Sequence, residues 1–278
     1  MILITTDEQI RCHLPNIVQT VKGETPFIQR LETFINLAED WVCANITGRL
    51  VFETISHLTD RNPLRLVASR LVVAESFRRA IPSLDVVLTP NGFGIVSSSN
   101  IAPASKPRID RLVQSMLTHR DDCIDSLLRH LTASDDWLAS DRGKFFASTL
   151  FPDLRIVDVL SEAQGSRWKR YLELQPRIVD LEFSLAEEWF SFDLMSRLRK
   201  DNVRGKLSSV DKSLVMQIQA QIVEWMKSGS LNSRRLADIV DFIRRHPKAF
   251  PEWHKSETAL LFSPPVFRNQ RNSSGYFF

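Results

Sequence analysis

The chain has 278 residues, 43% hydrophobic and 25% charged, with a formal net charge of +3. That mix sustains a real core in one large domain or two small ones, and so small a charge is no argument for a nucleic-acid partner. Three well-separated cysteines, Cys12, Cys43 and Cys123, with no C-x-x-C, argue against a disulfide framework and fit a reducing compartment.

The opening, "MILITTDEQIRCHLPN", has only a four-residue apolar run and reads as no signal peptide; no later run is long enough to span a membrane. Thr6-Asp7-Glu8-Gln9 predicts a capping box at the start of a short helix that Pro15 stops. Thr25-Pro26 then predicts a cap and a first-turn proline. Phe27, Leu31, Phe34, Ala38 and Trp41 recur at helical spacing, and Asn45 to Gly48 ends that helix. A shorter helix runs through Leu50, Ile55 and Leu58. Asn62-Pro63 opens an apolar helix from Leu64 to Ile81, closed by Pro82. A long helix follows, marked by Ile109, Leu112, Val113, Met116, Leu117, Ile124, Leu127, Leu128 and Leu131.

Between the last two lies "VVLTPNGFGIVSSSNIAPAS", long for a connector. Pro90-Asn91-Gly92 is a turn signal, and Phe93, Ile95 and Val96 suit a short strand. One ribbon alone is marginal in water. It folds either onto its own helices or onto a partner surface. The last residues, "SPPVFRNQRNSSGYFF", cannot be helix, yet carry Val266, Phe267, Tyr276, Phe277 and Phe278, more apolar than a disordered tail. An arm docked on a neighbour and an arm folded on its own domain both account for them, and the first is favoured here.

The second half repeats the plan of the first. "LAEDW" at Leu37–Trp41 returns as "LAEEW" at Leu185–Trp189, and at that spacing Leu66, Val67, Ala74 and Phe77 meet Leu214, Val215, Ile222 and Trp225. "ITTDEQI" meets "FPDLRIV" at the start. Ile109, Leu112, Val113 and Met116 pair with Leu236, Ile239, Val240 and Ile243 at a spacing shorter by about twenty residues, roughly the length of the loop. The first half thus reads as the second plus one insertion, although any two amphipathic helices align to this degree.

No catalytic constellation emerges. "HRDD" at His119–Asp122 resembles a kinase catalytic loop but lacks the phosphate loop and the Asp-Phe-Gly, and reads as a solvated helix face. "NGFG" is no dinucleotide fingerprint, and none of the six histidines pairs with a Cys or carboxylate at metal-ligand spacing. Glu39-Asp40 and Glu187-Glu188 are helix neighbours that point apart. Arg234-Arg235 and Arg244-Arg245-His246 form the densest basic patch, on one helix side, with solvation as its default reading.

Three stretches carry a resemblance: "LITTDEQIRCHL", "LAEDWVCANITGR" and "PLRLVASRLVVAESFRRA". Over roughly residues 1 to 130 the chain resembles the head–tail connector, or head-completion adaptor, proteins of tailed phages and prophages. With "TPNGFGIVSSSNIAPAS" and the "PPVF…GYFF" ending, the whole chain also looks similar to an uncharacterised prophage family. The resemblance implies a structural virion protein, a ring of like subunits between portal and tail, in the virion and, during assembly, in the host cytoplasm. It implies no enzyme activity, no catalytic residues, no metal and no cofactor. The implied partners are further copies of the chain and neighbouring virion proteins such as portal or tail components. No membrane is implied, and nucleic acid would be met only by passage through a ring.

The expected fold is therefore all-α: two tandem small helical bundles, one short β-ribbon and an extended C-terminal arm. The first domain spans 1–132, with an inserted loop at 83–107; the second, similar domain spans 133–247, and the arm 248–278. Subunit contacts are expected at Asn91, Gly92, Phe93, Ile95, Phe267, Tyr276, Phe277 and Phe278. The competing class is a cytoplasmic helical domain, either nucleic-acid-binding or an enzyme on a small molecule.

Overall fold

The computed structural model describes residues 3–14, 25–84, 86–89, 92–95, 105–160 and 165–263. The described residues are overwhelmingly helical, an all-α fold. Contacts divide the chain into two compact units, Met1–Val179 with Arg199–Lys206, and Asp180–Leu198 with Leu207–Phe278.

In the first unit, α1 (Asp7–His13) opens on the expected capping box, Thr6 accepting from the Gln9 amide. Its Asp7 carboxylate accepts from the amides of Phe27 and Ile28 at 3.2 and 2.7 Å, so it caps α2 (Phe27–Val42). Thr25 is not the cap; Pro26 holds that position without a side-chain bond, and a long-range carboxylate does the work. α2 runs into a π turn, Cys43–Thr47, and the chain breaks direction at Gly48, φ 75° and ψ 161°, a conformation essentially reserved for glycine. α3 (Arg49–Ser56) and α4 (Pro63–Leu84) follow.

α4 is buried on most of its girth, because α2 packs on one side and α5 (Lys106–Leu131) on another. Pro82 lies inside α4 and does not close it; the helix reaches Leu84 with Ala80 and Ile81 still buried. Tertiary packing overrides the local breaker for this last half turn. Strands β1 (Val86–Thr89) and β2 (Gly92–Ile95) pair antiparallel between α4 and α5, with Val86 opposite Ile95 and Leu88 opposite Phe93. α6 (Asp135–Ala139) and α7 (Asp141–Phe146) carry the buried Trp137 and Phe146, stacked 5.8 Å apart. α8 (Arg155–Val159) and the first part of α9 (Arg167–Leu185) complete this unit.

The second unit holds the end of α9, a second π turn at Ala186–Phe190 and most of α10 (Phe192–Val203). α11 (Ser209–Ser228), α12 (Ser233–Arg245), α13 (Pro251–His254) and α14 (Glu257–Leu261) follow. α11 begins with a capping box, Ser208 and Asp211, and ends at Gly229 in the left-handed conformation. Trp225 is only half-buried, so α11 lacks the all-round burial of α4.

The elements from α8 to α14 recur in the order of α1 to α7, π turns included. The match extends to single bonds. Trp137 donates its indole N–H to the Ile46 carbonyl at 2.9 Å, and Trp253 donates to the Trp189 carbonyl at 2.9 Å. Each acceptor stands two residues before a positive-φ residue, Gly48 in one case and Ser191 in the other. Each tryptophan is followed at +3 by a serine, Ser140 or Ser256, that bonds the tryptophan carbonyl and caps the next helix.

These landmarks fix the register. Leu31, Ile35, Ala38, Glu39 and Val42 match Leu174, Ile178, Leu181, Glu182 and Leu185 at an interval of 143, and all ten are buried. The interval is 146 between Glu75 and Gln221, and 116 for Cys123, Ile124 and Leu127 against Ile239, Val240 and Ile243. The "LAEDW"/"LAEEW" match, at 148, is therefore five residues out of register, and the pairing of Ile109 with Leu236 is out by eleven. Eleven residues is about three helical turns, so periodicity cannot distinguish the two alignments. The fall from 146 to 116 locates an insertion of thirty residues in the first half, holding β1, β2 and the first three turns of α5.

Candidate functional site

The "HRDD" segment sits on α5, and the structure overturns its solvated reading: Arg120 is 5% exposed and Asp121 1%. Position 120 lies on the apolar stripe itself, between Met116 and Ile124, so helical geometry carries the charge into the core. The Arg120 guanidinium bonds Asp121 through Nε and Nη2 at 2.9 and 2.6 Å and donates to Ser166 Oγ at 2.7 Å. It reaches Glu75 of α4 at 3.5 Å and lies over the Trp41 ring, 5.5 Å from its centroid.

Glu75, also buried, accepts from Arg78 at 2.8 Å and from Arg79 at 2.7 Å. Burial would raise its pKa, but the bonds from Arg78 and Arg79 overcome that and hold the carboxyl below its ordinary value. The other Asp121 oxygen accepts from the amides of Arg167 and Trp168 at 2.7 and 3.4 Å, capping α9. One buried polar cluster thus ties α2, α4, α5 and the start of α9. In the second half of the chain the positions of Glu75 and Arg120 are held by Gln221 and Leu236, so the cluster belongs to the first half alone.

Beside it, Arg167 faces three carboxylates: Asp122 at 2.7 Å, Asp158 at 2.9 Å and Asp125 at 3.1 Å. Asp125 also accepts from the Leu154 amide at 3.0 Å. Burial pushes its pKa up to about 6, with Asp153 and Asp158 adding to the rise and the Leu154 amide and Arg167 opposing it. These groups are committed to one another as a lock between elements. Cys123 lies 3.8 Å from His119 Nε2, and burial lifts its thiol to about 12, which leaves it an unreactive core residue. Among the described residues, no group of three or more His, Cys, Asp or Glu is placed to hold a metal ion. No described helix is long and apolar enough to cross a membrane.

The adjacent acids do different things. Glu39 is buried and accepts from the Leu3 amide at 2.5 Å, with burial raising its pKa; Asp40, Glu187 and Glu188 are exposed. On α12, Arg235 pairs with Glu224 at 2.6 Å and Arg244 with Asp241 at 3.6 Å, while Arg234 and Arg245 face solvent.

Among the open grooves of the first unit, two carry apolar residues of α2 and of the Gly48 corner. One, of about 320 Å³, has Ile4, Ile28 and Ile35 in its lining with Thr5, Gln29, Glu32 and Asn36. The other, of about 780 Å³, lies at the Gly48 corner beside Leu50, Val51, Ala139 and Arg142. Of the residues expected at subunit contacts, Gly92, Phe93 and Ile95 lie on β2. Asn91, Phe267, Tyr276, Phe277 and Phe278 lie outside the described residues.

No curated protein and no solved structure matches the chain. Residues 25–147 match the model of a family of unknown function, DUF6712, a span that begins just before α2 and ends just after α7. Over that stretch, the first run of the repeated plan from α2 onward with its insertion, the chain is similar to that family.

Proposed function

We propose that this protein is a structural subunit of a phage or prophage particle, a connector or adaptor that assembles into a ring between portal and tail. In this reading its two tandem helical bundles, with α13 and α14 part of the second, are the scaffold, and the ribbon and the residues from α14 onward are the contact elements. Its partners are further copies of itself and the neighbouring portal or tail proteins, and its role is mechanical, with no catalysis or cofactor.

The observation that carries the reading is the insertion. The second half runs from α11 to α12 through four residues, Gly229–Asn232, where the first half spends more than twenty between α4 and α5. The same plan folds without the ribbon, so the ribbon serves something other than the fold, and loops so placed carry function. A two-stranded ribbon also presents edges that a neighbouring chain is able to extend.

Replacing residues 85–105 by Gly-Ser-Leu-Asn, the connection of the second half, removes the ribbon, leaves α5 whole and tests this. Mass by light scattering and thermal unfolding are measured together. The expected result is lost assembly with an unchanged unfolding temperature; assembly that persists, or a subunit that no longer folds, overturns the reading.

A further inference from the structure

Within the first unit, α7 packs on α9. Phe145 meets Tyr171 edge-on with centroids 6.4 Å apart, and Phe146 stacks on the same ring at 6.0 Å. Four residues along α9, Gln175 is 2% exposed, so this face of the helix is covered.

The repeated register gives each partner of that contact a counterpart. At the interval of 116, Phe145 corresponds to Leu261 at the end of α14; at the interval of 143, Tyr171 and Gln175 correspond to Ile28 and Glu32 on α2. Phe262, the counterpart of Phe146, rests on Trp253 as Phe146 rests on Trp137, but among the described residues Leu261 and Ile28 have no equivalent of the Phe145–Tyr171 contact. Leu260 and Leu261 are each 71% exposed. Ile28 and Glu32 line the open groove of about 320 Å³, with Ile4 and Ile35. One chain thus holds the made contact once, and each half of it once more unmade.

We infer that the α14 end of one copy, through Leu260 and Leu261, docks in the Ile28 groove of a second copy of this chain, reproducing between molecules the packing of α7 on α9. Two different patches meet, so the contact is heterologous and every copy keeps one free end of each kind until a ring closes or a filament grows. The apolar floor takes the leucines, and Glu32 and Asn36 form the polar rim of such an interface. The contact deepens the proposed function by naming a second part of the interface that the ribbon forms, neither part holding subunits together without the other, and it depends on that reading only for self-association.

The test uses the full chain and three variants, with mass followed by light scattering and sedimentation over a hundredfold range of concentration. Leu261→Asp blocks the donor end. Ile28→Asp blocks the groove, and Asn36→Arg, at an exposed position, does the same without touching a half-buried residue. Circular dichroism and the unfolding temperature of the Leu261 and Asn36 variants should match the parent. The parent should grow in steps of one chain, each variant should remain monomeric, and an equimolar mixture of Leu261→Asp with Asn36→Arg should stop at the dimer, because only one intact pair of patches remains. A parent that associates and variants that associate equally overturn this contact and leave the ring reading standing. A parent that stays monomeric throughout overturns both.

Discussion

The indole of Trp253 donates to the backbone carbonyl of Trp189 at 2.9 Å, sealing a π turn with a side chain that lies 64 residues further along. A π turn leaves carbonyls off the regular helical ladder, and a buried one needs a donor. Trp137 meets the same need at Ile46, 91 residues away. Two long-range bonds of one geometry, each between a turn and a late short helix, mark the joint on which each run of the plan closes.

Substituting either tryptophan by phenylalanine should keep a ring in the core but leave a buried carbonyl without its donor. Each of Trp137→Phe and Trp253→Phe is expected to cost about 1–3 kcal/mol, the usual penalty for such an orphan. Urea midpoints should fall for both, and a fall for only one would show that the two joints are not alike in energy.

Ser191 has φ 65° and ψ 148°, nearly the backbone of Gly48, but carries a side chain there. That region costs a non-glycine residue on the order of 1–3 kcal/mol. Its hydroxyl returns little, accepting from the Leu194 amide at 3.4 Å. Ser191→Gly should therefore stabilise the protein by about 1 kcal/mol, since glycine is a tolerable cap. The unfolding temperature checks it. Gly48→Ser should move the temperature the other way.

Arg120 is surrounded by carboxylates that are themselves buried. Arg120→Met leaves Asp121 without its closest cation, and a loss of about 3–5 kcal/mol is expected. Asp121→Asn should cost less, about 1–2 kcal/mol, because an amide oxygen still accepts from the Arg167 backbone. Equal losses for the two, read from denaturant unfolding, would show that the uncompensated Asp121 charge adds nothing beyond the lost ion pair, which both variants remove.

Asp125 gives a pH dependence. Its folded pKa, near 6, lies above the ordinary value of 3.8, so between those values the folded form holds more protons than the unfolded. Stability from this group is therefore greatest at low pH and falls as pH rises from about 4 to about 6, by about 2 kcal/mol. Asp125→Asn removes the titrating group and should flatten that slope in chemical unfolding at pH 4, 5, 6 and 7.

Much of the fold was legible in the sequence because its signals are local. Thr6 and Gln9 announce their own capping box, and the stripes of α4 and α5 follow from spacing, whereas α2 buries Leu31, Ile35, Ala38 and Val42 and leaves the expected Phe27, Phe34 and Trp41 half-buried. What escaped was long-range. Nothing near Pro26 reveals that Asp7 caps α2, and nothing near Pro82 reveals that packing on α5 carries α4 past it. The register between the halves is not fixed by spacing, because helical periodicity is blind to whole turns, and the indole bonds that settle it join residues far apart. Arg120 was the one legible miss: it falls on the stripe of its own helix, and a charge there has to enter the core with a partner.

The insertion also sets a count. Among the described residues each chain carries two indole-sealed corners but a single ribbon, so n chains together hold 2n of the first and n of the second. A neighbour that reads corners meets twice the number of sites met by one that reads ribbons. An assembly of the proposed kind would therefore offer two stoichiometries at once, without any change in the chain itself.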